Sequence, residues 1–288
     1  MIREVSLGSL AIPKKILRDV NCSSIENWKK ISREWKDVAD FIQPIKLALK
    51  KTGFVVAKDF GIIDFNTQLR SNMFLYFCSM LGKPVEHNIG KKDYVWEIKL
   101  RQDINYLPTF SEHKLEAPLH TDTQYRSSPE KYISLFAIKK ANCGGGVTKI
   151  LNFDHVINTL QSSNDGITCL RILEKSFFPF AVPSIFSEYK DKIKIIYAPI
   201  ISQKINIRYR FDTIEMGLKN SMFSKADNDR KMWALIFLRD HIKNHPCTVS
   251  LTLEAGEILI IDNHRVLHGR TSFKDCNRHL LRVRMNDY

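Results

Sequence analysis

The stretch TVSLTLEAGEILIIDNHRVLHGR, residues 248–270, decides how this chain is read. Its first six residues alternate strictly, with Val249, Leu251 and Leu253 apolar and the residues between them polar. That period of two belongs to a strand with one buried face. EAGE then supplies a turn, and the apolar run ILII (258–261) reads as a strand buried on both faces. Two histidines follow at once, His264 and His268, in IDNHRVLHGRTSF.

Further strands are expected at VWEIKL (95–100), KYISLFAI (131–138), VTKILNF (147–153) and RHLLRVRM (278–285), which are rich in β-branched and aromatic residues. TGFVVAKDF (52–60) reads as another short buried strand. Helical spacing of apolar residues predicts helices over 24–50, with Ser24 as N-cap and Trp35 on its apolar face, over 64–81, closed by Gly82 and Pro84, and over 225–243. Helices lead, strands follow and one helix interrupts. This is an α+β layout around a mainly antiparallel sheet, which a jelly-roll (double-stranded β-helix, cupin-like) core would close into a barrel with an open mouth. Residues 1–288 contain no repeat, low-complexity tract or linker, so a single domain is expected.

Composition bounds the function. Hydrophobic residues make up 44% of the chain, enough for an ordinary core, and no apolar run approaches the roughly 20 residues that cross a bilayer. Charged residues break up the N-terminal segment, which makes it a poor signal peptide. Six scattered cysteines without a CxxC pair read as reduced thiols of a cytoplasmic protein. The net charge of +13 permits a nucleic-acid partner, but the lysines are dispersed rather than gathered into a basic block. A small-molecule partner is therefore favoured over nucleic acid, and no membrane partner is expected.

The chemistry is carried by APLHTDTQYR, 117–126. On an extended strand His120 and Asp122 point to the same side, so both can reach one point in space. With either His264 or His268 they would make a set of two histidines and one carboxylate. Such a set holds Fe(II) on one face and leaves coordination positions open, although the same ligands also suit a hydrolytic zinc. Downstream residues separate the two. Arg278 and Arg282 lie four apart on an expected strand and face one way. Arginine grips carboxylates through paired donors. A dicarboxylate chelating iron through a 2-oxo-acid end would leave its far carboxylate for one of them. Thr148, after the glycine turn CGGGVTKI (143–150), can share that carboxylate.

Taken together, LKKTGFVVAKDFGI (49–62), MLGKPVEH (80–87), LHTDTQYR (119–126), GGGVT (144–148) and the block from ILIIDNHRVLHGR to RHLLRVRM resemble the TauD/clavaminate synthase-like family of Fe(II)- and 2-oxoglutarate-dependent oxygenases. The HxD pair alone is a weak signal; the full series in this order is specific. The resemblance implies His120, Asp122 and His268 as iron ligands, Thr148 and Arg278 as the 2-oxoglutarate site, and Arg282 as a grip on an acidic group of the substrate. It implies a dioxygenase that couples oxidation of a C–H bond by O2 to decarboxylation of 2-oxoglutarate to succinate and CO2. Because the acid is present as Asp122, hydroxylation rather than halogenation is expected. Desaturation or ring closure at the same iron is the alternative within the class, and an oxygenase acting on nucleic acid or protein is the alternative outside it.

The expected substrate is a small metabolite, a free amino acid or an amino-acid-derived biosynthetic intermediate. Glu116 stands four residues before His120, where with Arg282 it would suit a zwitterion. Arg270, two after His268, either supports the site or pairs with an acid. Trp96, Gln124, Tyr125, Arg208, Arg210 and Asp212 are further candidates for the pocket. The run NIRYRFD (206–212) offers three alternating polar positions to a barrel interior. His87 and His264 are expected to be structural.

Overall fold

The computed structural model describes residues 4–6, 14–22, 36–87, 93–101, 110–183, 193–203 and 207–288. In chain order the elements are β1 (Glu4–Ser6), α1 (Lys14–Cys22), α2 (Lys36–Thr52), β2 (Phe54–Lys58), α3 (Thr67–Leu81), β3 (Lys83–Val85), β4 (Trp96–Lys99) and β5 (Ala117–His120). They continue as β6 (Tyr132–Lys139), β7 (Thr148–Asn152), α4 (Phe153–Leu160), α5 (Asn164–Lys175), β8 (Phe178–Ala181), β9 (Ile195–Ala198), α6 (Phe211–Lys219) and α7 (Lys225–Lys243). The last four are β10 (Val249–Leu251), β11 (Ile258–Asp262), β12 (Val266–Arg270) and β13 (His279–Asn286).

Two sheets face each other as a jelly roll. The larger runs β1-β2-β11-β6-β13-β3, with β4 also on β13; the smaller runs β10-β7-β12-β5. All pairings in these two sheets are antiparallel except β1 with β2. Hydrophobic residues of both sheets meet between them: Phe54, Val56, Ala137, Leu259, Ile261 and Leu280 from one, Ile150, Leu251 and Val266 from the other. The outer face of the large sheet is covered by α1, α2 and α3 through Ile45, Met73, Phe74 and Phe77 packed on Phe136, Ile258 and Ile260. The outer face of the small sheet is covered by α4 to α7, with Phe153, Leu173, Leu235 and Leu238 packed on Leu151 and Leu267. β11 is thus buried on both faces, which is why its sequence is a continuous apolar run rather than an alternation.

The expected strands and the helix at 225–243 appear where their periodicity places them. Ser224 caps that helix by accepting from the Asp227 N–H. Of the helix expected over 24–50, residues 36–52 are helical, while Ser24 and Trp35 lie outside the described residues. Gly82 ends α3 in extended backbone rather than the left-handed conformation of a glycine cap. The NIRYRFD run is corrected: residues 207–210 form no strand and its last two residues, Phe211 and Asp212, begin α6, so the alternation does not continue as a barrel strand. No helix among the described residues is long and apolar enough to cross a membrane.

Candidate active site

β5 and β12 are antiparallel neighbours in the small sheet, and their register sets His120 directly opposite His268. Gly269 makes this close approach possible: a Cβ there would lie 2.6 Å from the Ala117 carbonyl oxygen, so any larger residue would push the strands apart. The strand ends at His120, and Asp122 sits in the turn that follows rather than on the strand. The turn is held by Thr123, whose φ of 52° is rare for a residue with a Cβ. Thr123 donates to the buried Glu130, which also takes Arg126. The single connection between β5 and β6 is therefore tied to itself next to the carboxylate.

The side chains of His120, Asp122 and His268 converge, with one potential ligand atom from each within 4.8 Å of the others. Oδ1 of Asp122 lies 3.5 Å from His120 Nε2 and 3.8 Å from His268 Nε2. Cis ligands of a six-coordinate first-row ion with bonds of about 2.1 Å lie about 3 Å apart, so small rotations would close these atoms on one ion. The His120 Nδ1 atom is 2.7 Å from the Pro118 carbonyl oxygen. A proton held there leaves the Nε2 lone pair free, as a metal-binding imidazole requires. Burial, and then the neighbouring His268 ring, hold His120 below the usual imidazole value, which keeps it neutral. Burial works against ionisation of Asp122. Arg282, the two imidazoles and Arg284 overcome it and hold the carboxyl well below the usual range. The donor set, two imidazole nitrogens and a carboxylate oxygen on one side of a pocket, fits ferrous iron.

The carboxylate is divided between two tasks. While Oδ1 faces the imidazoles, Oδ2 accepts from Arg282 Nη1 at 2.8 Å and lies 3.5 Å from Arg284 Nε. Both arginines come from β13 and project from its inward face. Arg278, at the start of the same strand, lines the pocket beside Thr148. The Arg278 side chain lies against the glycine turn: at Gly146, where φ is +73°, a Cβ would stand 3.2 Å from its Cδ. Burial, followed by the charge of Arg270, pushes the Arg278 guanidinium down to about 9, still cationic at neutral pH. Such a buried cation suits an anion delivered from outside.

Of the other residues singled out in the sequence, Trp96, Gln124, Tyr125, Arg210, Arg270 and His87 line the same pocket. Among the described residues Arg270 pairs with no acid. Its guanidinium donates to the carbonyls of Phe110 (3.1 Å), His113 (2.9 Å), Leu115 and Thr271 (3.3 Å), tying the 110–115 segment over the pocket. Glu116 is corrected as a substrate residue. It is exposed, its nearest cation is Lys149 at 3.6 Å, and it is not part of the pocket wall, because it precedes β5 on the solvent side of the sheet edge. His264 is turned away from the metal candidates, its Nε2 3.0 Å from the Pro129 carbonyl. Arg208 is buried against the carbonyls of Gln124, Arg126 and Ser127, bracing the turn after Asp122, and Asp212 is the partner of Arg210 at 2.8 Å.

Two residues of the site escaped the sequence reading. Arg284 continues the Arg278–Arg282 face of β13, and the RVR alternation was the available signal. Asn263, in the turn between β11 and β12, accepts from the Asp122 N–H at 2.8 Å and donates to the carbonyls of Asp122 (3.2 Å) and Glu130 (2.9 Å). It clamps the Asp122 peptide to the strand that leads to His268. Asn263→Ala, which strands three buried backbone groups, is expected to cost about 2–4 kcal/mol in chemical denaturation. It is also expected to weaken metal binding about tenfold or more. An unchanged metal affinity would show that Asp122 is positioned without it.

Residues 206–284 match the family model described as taurine catabolism dioxygenase TauD, TfdA family. No curated protein matches the chain. Among solved structures, an asparagine oxygenase in complex with Fe(II), (2S,3S)-3-hydroxyasparagine and succinate superposes with a TM-score of 0.74 at 15% identity, over 98% of this chain and 93% of that one. The non-heme iron oxygenase OrfP in complex with Fe gives 0.66 at 17%, over 100% and 94%. A taurine dioxygenase from Burkholderia xenovorans gives 0.57 at 16%, over 86% and 81%. At such identities the likeness speaks for the fold, and it extends over nearly the whole chain in the first two cases.

Proposed function

We propose that this chain is an Fe(II)/2-oxoglutarate-dependent oxygenase of the TauD/TfdA kind, that its residues 1–288 form one domain, and that it hydroxylates a free amino acid or an amino-acid-derived small molecule. The observation that carries the reading is the joining, in one pocket, of the His120–Asp122–His268 cluster with a separate buried cation, Arg278, beside Thr148. In this reading His120, Asp122 and His268 hold the iron. Thr148 and Arg278 hold the far carboxylate of 2-oxoglutarate, and Arg282 receives the substrate's carboxylate on its Nε edge.

When bound, iron and 2-oxoglutarate supply the oxidising power: O2 is reduced as 2-oxoglutarate becomes succinate and CO2, and a substrate C–H bond becomes C–OH. The protein's own contributions are positional. Pro118 fixes the His120 ring, Asn263 fixes the Asp122 backbone, and Arg282 and Arg284 keep the carboxylate ionised. The Arg270-tied segment and the aromatic side chains of Phe110, Trp96 and Tyr125 narrow the pocket and limit water. The amino-acid class is supported by two structural neighbours: the asparagine oxygenase is complexed with hydroxyasparagine, and an OrfP variant is complexed with (3S)-hydroxy-L-arginine.

The test is succinate release from protein reconstituted anaerobically with Fe(II) and 2-oxoglutarate, then exposed to air across a panel of free amino acids. One or more is expected to stimulate release well above the uncoupled background and to gain one oxygen in mass. Iron-loaded protein that never releases succinate would refute the oxygenase reading; release that no amino acid stimulates would refute the substrate class alone.

A further inference from the structure

We propose that Arg284 forms, beside Arg282, a second anion subsite in the pocket, and that the substrate is accordingly an acidic amino acid bearing a second ionised group besides its α-carboxylate. The inference rests on the oxygenase reading above and narrows its substrate.

The pocket wall carries five arginines, and among the described residues that line it Asp122 is the only carboxylate. Three of the five are accounted for. Arg210 is paired with Asp212, Arg270 is spent on backbone carbonyls, and Arg278 stands at the position read as the co-substrate's. Arg282 and Arg284 remain, and they share a single oxygen, Asp122 Oδ2. Glu130 also favours the charge on Arg284, but its two oxygens are taken by Arg126 and Thr123. Among the described residues, Nε of Arg282 and Nη1 of Arg284 are buried without a hydrogen-bond partner, and Nε of Arg284 has only the 3.5 Å approach to Asp122 Oδ2.

With Arg126 counted beside Glu130, three guanidiniums (Arg126, Arg282 and Arg284) stand against two carboxylates (Asp122 and Glu130) among the described residues, which leaves a surplus positive charge. A cation held by Oδ1 of Asp122 would draw on the same negative charge and enlarge the surplus. Buried, unmatched charge is strongly disfavoured unless a partner is supplied. The partner that removes it is an anion entering from the pocket. One carboxylate satisfies Arg282, and a second acidic group satisfies Arg284, two residues along the same strand face. The same wall disfavours a cationic substrate side chain, since among the described residues no carboxylate other than Asp122 faces the cavity to receive one.

The test compares each acid with its neutral counterpart: aspartate with asparagine, glutamate with glutamine, and O-phosphoserine with serine. Binding is measured by calorimetry on anaerobic protein loaded with Fe(II) and 2-oxoglutarate, and succinate release is measured after exposure to air. In the wild type at least one acid is expected to bind about tenfold or more tightly than its neutral partner, the value of one charge-assisted hydrogen-bond pair. Arg284→Gln is expected to bring that ratio to within about threefold, while Arg284→Lys, which keeps the charge, retains part of it. Ratios near one in the wild type, failure of every acid to bind, or loss of affinity for both members alike in Arg284→Gln would overturn the proposal. Succinate release stimulated only by a neutral amino acid would refute this inference and leave the oxygenase reading standing. Absence of release from iron-loaded protein would refute the oxygenase reading itself.

Discussion

Asp122→Ala is expected to abolish iron retention and 2-oxoglutarate turnover, and to destabilise the metal-free protein as well. The first effect follows from the ligand geometry. Among the described residues Oδ1 is the only carboxylate oxygen facing the two imidazoles, and two histidines alone leave the candidate site without an anionic ligand. Succinate release is expected to fall by about a thousandfold or more, since the variant removes the ion that supplies the chemistry. The second effect follows from Oδ2. Arg284 is buried and the side chain of Arg282 is only 12% exposed, and both draw on it, so alanine leaves two guanidiniums without this counter-ion. Removal of one partner from a buried pair typically costs about 3–5 kcal/mol. Chemical denaturation of the metal-free variant is the check. Asp122→Asn, which keeps the volume, is expected to lose nearly as much. A variant with wild-type iron content would remove Asp122 from the ligand set. A variant with wild-type apo stability would show that the arginines are compensated elsewhere.

Arg278→Gln carries the second large effect. Arg278 is buried beside Thr148 and Gly146, with the Phe273 ring 5.4 Å from its guanidinium carbon. A bidentate grip on a carboxylate in such a place is worth about 1.5–3 kcal/mol. KM for 2-oxoglutarate is therefore expected to rise about tenfold to a hundredfold, with kcat less affected. Thr148→Val is expected to act in the same direction but less strongly, because it removes a single neutral donor. If the two residues share one carboxylate, the double variant will lose less than the sum of the two losses. An unchanged KM in Arg278→Gln would reassign the co-substrate carboxylate to another of the pocket's arginines.

Much of this was legible from residues alone, for identifiable reasons. The strands at 131–138, 248–253 and 258–261 announce themselves because one-sided burial imposes alternation and two-sided burial imposes an unbroken apolar run. His120, Asp122 and His268 were legible because metal chemistry restricts residue type, and the HxD spacing survives in the sequence. The helices α4 to α6 were not singled out. α4 and α6 have only eight and nine residues, too short for periodicity to separate from a buried strand. Glu116 was misread because spacing from His120 does not reveal which way a residue faces once the chain has left the strand. Arg270 could be read as supporting the site or as pairing with an acid, and the sequence could not choose, because its partners are carbonyls more than 150 residues away in sequence. Asn263 was silent because an asparagine clamp is local in space and remote along the chain.

The sequence by itself determined the sheet's composition, the helical cover, and the types and order of the side chains that can hold a metal and a dicarboxylate. Those depend on local period and on the chemistry of single residues. Only the tertiary structure decided which groups face one another: His120 across from His268 through the flat back of Gly269, and Asp122 divided between imidazoles and arginines. It also set Arg284 beside Arg282 with too few acids to neutralise both. These relations depend on strand register and burial, and a charge's consequence depends on which other charges share its low-dielectric surroundings, which no local pattern records.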